Sequence, residues 1–285
     1  MKLSCNYLYL TIALLSIVAC KTSSDEKNRS ENDSWIKIGQ VEKTIRNIHF
    51  TFPDSGFAYD NREDLIEESF SALETNSDLI GLKEYYDSIF IRFLRSREEM
   101  LPLTGTRALG NAYPHIKTLY VVANETVKSP IKHELMHLIS MLEWGYPETS
   151  SNWMNEGLGT FAENDCSGWN VSEIYRYLLE TDQLISMESL TTDFYGQPEM
   201  LSYYQSGYLV EYLLKNYGIE RFSKLWKDGF GEFEQIYGLP FERIKDELEK
   251  ELLVKYPKSP EIDQDTFNKP CQLLFFVKVG GIGKD

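Results

Sequence analysis

The residues of this chain best suited to chemistry are two histidines four positions apart, His133 and His137, with Glu134 directly after the first. On a helix, at about 100° per residue, the two histidines lie about 40° and one turn apart. They face away from Ile131, Leu135, Leu138, Ile139 and Leu142, which crowd the opposite side. Both imidazoles can then reach one ion, and Glu134 can reach a water on that ion without being a ligand itself. Nitrogen ligands suit Zn2+, and hydrolytic zinc sites hold the ion with three protein ligands and leave one position open. Glu143 is a poor third ligand, because it lies about 9 Å beyond His137 along the same helix. Glu156 is the better candidate: eighteen residues separate it from His137, room for a connection and the start of a second helix. It sits in the run Trp153-Met-Asn155-Glu156-Gly157-Leu-Gly159-Thr160-Phe-Ala-Glu163. Glycine costs about 1 kcal/mol in a helix interior, and close approach to the metal-bearing helix is a reason to accept two. Thr160 and Glu163 share a face with Glu156 and either support the ligands from behind or serve as ordinary capping and surface residues.

His-Glu-Leu-Met-His, eighteen residues and then Glu in an Asn-Glu-Gly context resemble the gluzincin zinc metallopeptidases, whose members include thermolysin and the zinc aminopeptidases. With Trp153-x-Asn155-Glu156-Gly157, Tyr203-Tyr204-Gln205 and Leu209-Val210-Glu211-Tyr212-Leu213, the chain is similar to the shorter peptidase MA-like domains of bacterial secreted proteins, over residues 85–255. The resemblance implies a peptide or protein substrate, Zn2+ on His133, His137 and Glu156, and Glu134 as general base. It also implies a tyrosine that steadies the oxyanion, matched by Tyr203 through its Tyr-x-Gln spacing, with Tyr204 the alternative. An edge strand before the metal helix would pair with extended substrate; 116–122 is its candidate, and an internal strand is the other reading of that run. The Gly-Ala-Met-Glu-Asn segment of the large aminopeptidases is missing where this chain reads Thr106-Arg-Ala-Leu-Gly110-Asn-Ala-Tyr-Pro114, so no group for a substrate amine is assigned. A rival reading keeps the fold as a non-catalytic binding lipoprotein, but a merely structural metal gives Glu134 no purpose.

The scaffold for these residues reads as α/β from about residue 40. Residues 44–52 alternate like a strand, 62–75 have helical spacing, and 89–94 and 116–122 are β-prone. Ser129-Pro130 predicts a helix start, with serine as the cap and proline in the first position. Beyond 150, helices are predicted over 155–164, 171–181, 198–217, 219–227 and 240–254. The expected fold is α+β: a zincin-like two-lobed domain, a mixed sheet with the active-site helix followed by a mainly helical lobe.

Composition agrees. At 285 residues and 42% hydrophobic the chain can bury a sizeable core, and a formal charge of −15 argues against nucleic acid, whose phosphates are met by Lys and Arg. Lys2, the apolar run to Ala19 and then Cys20 resemble a bacterial lipoprotein signal. The expected division is a signal peptide over 1–19, a lipidated Cys20 and polar tether over 20–39, the metallopeptidase domain over 40–260 and a tail over 261–285. The expected location is the cell envelope, held to the membrane by the lipid. Cys166 and Cys271 remain in the mature body, and an even pair in an oxidising compartment is expected to join.

Overall fold

A computed structural model describes residues 39–262 apart from 84, 86 and 167. The expectations for the signal, Cys20, the tether and Cys271 fall outside the described residues.

Strands β1 (Gln40–Ile45) and β2 (Ile48–Pro53) form an antiparallel hairpin, which corrects the single strand expected over 44–52. Apolar and polar residues alternate on both sides of the two-residue turn, and only the adjacent polar pair Arg46-Asn47 interrupts the pattern. Arg46 turns the chain with a φ of 52°. Asn47 is pinned by donating to the carbonyls of Tyr85 and Asp87, at 3.1 and 2.9 Å. Helices α1 (Phe57–Asp60) and α2 (Arg62–Leu79) lead to β3 (Ile89–Leu94), which runs parallel to β2. Helix α3 (Arg97–Thr104) was not expected, because Pro102 lies inside it. Its start is nevertheless capped by Ser96, whose hydroxyl accepts from the amides of Glu98 and Glu99.

Strand β4 (Gly110–Tyr113) folds back antiparallel on β5 (Thr118–Val122), and β5 runs parallel to β3. The sheet order is β1-β2-β3-β5-β4. The run 116–122 is therefore an internal strand, and the edge belongs to β4. It also starts later than expected, because Pro114–Ile116 makes a 3-10 turn and Lys117 adopts a φ of 49°.

Helix α4 (Ile131–Trp144) carries the two histidines. Pro130 takes the N-cap and no side chain caps it, so Ser129 does not play the capping part expected of it. The remainder is helical: α5 (Asn152–Glu163), α6 (Val171–Glu180), α7 (Met187–Thr192), α8 (Glu199–Tyr217), α9 (Ile219–Asp228), α10 (Phe233–Tyr237) and α11 (Phe241–Lys255). The fold class is the expected α+β, with the short α7 and α10 as additions. One apolar cluster runs from Phe50 and Ile91 in the sheet through Leu135 and Ile139 of α4 to Trp153 and Leu158 of α5 and Val210 of α8. Each such side chain contributes about 1.5–3 kcal/mol on burial, so α4 and α5 are fixed on their buried sides and the polar sides between them inherit that rigidity.

The two glycines of α5 answer to different neighbours. A Cβ on Gly159 would stand 2.8 Å from Nε2 of His133, the expected close approach to the helix that carries the histidines. A Cβ on Gly157 would instead stand 2.6 Å from the carbonyl oxygen of Ser206 on α8. Backbone cannot step aside as a side chain can. Gly157→Ala is therefore expected to lower unfolding free energy by ~1–3 kcal/mol through overpacking, despite the better helix propensity of alanine. Urea unfolding measures this, and wild-type stability in the variant refutes it.

Candidate metal centre

Helices α4 and α5 bring His133, His137 and Glu156 together so that one ligand atom from each lies within 4.8 Å of the others. One oxygen of Glu156, Oε2, stands 3.4 Å from Nε2 of His133 and 3.3 Å from Nε2 of His137. A tetrahedral zinc with bonds of ~2.0–2.1 Å sets its ligands about 3.3 Å apart, so these separations fit the ion. The imidazoles are steeply inclined, 85° between planes with centroids 4.5 Å apart, which lets both Nε2 atoms aim at one point. Glu143 is exposed and takes no part in the group.

The tautomer of His137 follows from its neighbour. Its Nδ1 stands 3.0 Å from Oδ1 of Asn155, an oxygen that can only accept, so Nδ1 carries a hydrogen and Nε2 is the nitrogen left to take an ion. Asn155 is thus the supporting residue behind one ligand. Thr160 and Glu163, the candidates for that part, are occupied otherwise. Thr160 donates to the backbone carbonyl of Glu156 at 2.8 Å, and Glu163 pairs with Lys128 at 3.3 Å.

The carboxylates around the two histidines govern the electrostatics of the centre. Burial opposes a charge on His133, but its bond to Glu156 and the charges of Glu134, Glu156 and Glu163 outweigh burial and lift its pKa to about 9. Burial also works against the Glu156 carboxylate, yet the charge of His137 and the bonds to both histidines hold its pKa well below the usual carboxylate range. Both displacements stabilise positive charge at the point where the three ligand atoms meet. Glu134 differs: burial pushes its carboxyl up, more than the two histidines draw it down. It lies against β4, where Gly110 leaves no room for a Cβ beside the Glu134 carboxylate.

Two tyrosines border the group. Tyr203 lays its ring nearly parallel to that of His133, with centroids 6.2 Å apart and 17° between planes. Tyr204 is turned into the core, toward the charges of Glu163 and Asp165. Tyr195, which the motifs did not single out, donates its hydroxyl to Oε1 of Glu156 at 2.8 Å. Burial first, and the Glu156 charge second, push the phenols of Tyr195 and Tyr203 far above their ordinary value, so both remain protonated donors.

A search of curated proteins finds no match. Residues 98–241, which run from α3 to the start of α11 and hold His133, Glu134, His137, Glu156, Tyr195 and Tyr203, match the family model of the Peptidase MA superfamily, and the chain belongs to that superfamily.

Proposed function

We propose that the protein is a zinc-dependent peptidase of the gluzincin type. The observation that carries this reading is the meeting of His133, His137 and Glu156, with Oε2 of Glu156 at tetrahedral spacing from both imidazoles and a buried carboxyl outside the group beside them. A bound Zn2+ supplies a Lewis acid that polarises the peptide carbonyl and acidifies water. Glu134 accepts the proton from the attacking water and delivers it to the leaving amine. Burial raises its pKa above the ordinary carboxylate value, the direction that makes a carboxylate a better proton acceptor. Tyr203 donates to the oxyanion that develops on the substrate, an interaction that strengthens toward the transition state. β4, as the edge strand, offers its main chain to an extended substrate, and Gly110 sets that strand directly against Glu134.

We infer a cleaved signal over 1–19, a lipid on Cys20 that holds the protein in the bacterial cell envelope, a tether to 39, the domain over 40–260, a tail over 261–285 and a bond between Cys166 and Cys271.

Incubation of purified protein with a peptide library tests the activity. Cleavage is expected that stops with a chelator and returns with Zn2+. Stoichiometric zinc with no cleaved peptide would favour the binding-lipoprotein reading instead.

A further inference from the structure

The two oxygens of Glu156 have different partners. Oε2 faces Nε2 of both histidines, whereas Oε1 accepts the hydrogen bond from Tyr195. A carboxylate beside a divalent ion can bind through one oxygen or through both, and the second mode takes up coordination space that a hydrolytic site reserves for water. A hydrogen bond to one oxygen opposes that mode by engaging its lone pair and fixing the plane of the carboxylate.

On the zinc-peptidase reading, we propose that Tyr195 is a positioning residue that holds Glu156 as a one-oxygen ligand and keeps the fourth position of the metal free. The turn Phe194–Gly196 carries it. Phe194 is 3% exposed and anchors the turn in the core, touching the rings of both Tyr195 and Tyr203 at 5.3 and 5.4 Å. Gly196 closes the turn at a place where the Asp193 carboxylate leaves no room for a Cβ. Tyr195 itself is 62% exposed, so its hydroxyl reaches the centre from the solvent side while the core holds the backbone beneath it. The two tyrosines thus divide the labour: Tyr195 sets the ligand, and Tyr203 meets the substrate.

Tyr195→Phe removes only the hydroxyl, and the exposure of the ring leaves the core untouched. Zinc affinity, measured by competition with a chromogenic chelator, is expected to fall by ~10–100-fold in Tyr195→Phe, with thermal unfolding of the metal-free protein unchanged. Tyr203→Phe is expected to bind zinc as the wild type does. The cobalt-loaded Tyr195→Phe protein should absorb less strongly in the visible than cobalt-loaded wild type, as the second oxygen enters and the geometry leaves the tetrahedral. Wild-type affinity and spectrum in Tyr195→Phe would overturn the positioning role alone. A wild-type protein that takes up no zinc would overturn the peptidase reading and this role with it.

Discussion

Glu134→Gln is expected to keep close to one zinc per chain while hydrolysis falls by ~10²–10⁴-fold, the usual cost of losing a general base. The separation follows from geometry. Glu134 is buried beside the centre but outside the group of three whose ligand atoms converge. Glutamine has the same shape, so it fits the slot that Gly110 leaves and does not disturb β4. What it lacks is a carboxylate oxygen that can take a proton. Metal analysis and turnover on the same preparation decide the matter. Loss of zinc in Glu134→Gln would make this residue a ligand, and undiminished turnover would assign the base elsewhere.

The second large effect is expected at Glu156. Glu156→Ala removes one of three ligands together with the partner of Tyr195, so both zinc content and activity should fall below detection at micromolar zinc. Glu143→Ala is the control, since that side chain is exposed and outside the group. Its zinc and its turnover should match those of the wild type. The reverse outcome, metal lost in Glu143→Ala and kept in Glu156→Ala, would refute the ligand set and the gluzincin reading together.

The features legible in the sequence were those with a period or a fixed spacing. The 3.6-residue repeat of Ile131, Leu135, Leu138 and Ile139 identified α4 and put His133 and His137 on its other side, which is where they are. The Asn-Glu-Gly run put α5 near its observed start and marked Glu156. Features without a period escaped. Gly110–Tyr113 has only four residues and opens with Gly and Asn, both poor strand formers, so the sequence does not mark this edge strand, and 116–122 stands as its candidate beside the internal reading that the sheet order bears out. Tyr195 stands on a three-residue turn and reaches Glu156 across thirty-nine positions of chain, a contact made by tertiary packing and not by any local pattern. Asn155 was visible as part of a motif. Its bond to His137, however, depends on how α5 is rotated against α4, and no local pattern reports that angle.

The absence of a side chain at Gly110 carries a consequence for other members of the superfamily. Because that strand touches the Glu134 carboxylate at a point with no space for one more carbon, the residue found there in a related chain constrains the conformations open to its acid. A relative that keeps both histidines and both glutamates but carries a branched residue at this strand position could still hold an ion while its acid is forced aside. Inheritance of the His-Glu-x-x-His signature would then mark a lineage, and the small residue twenty-four positions upstream of its glutamate would mark which branches still turn over substrate.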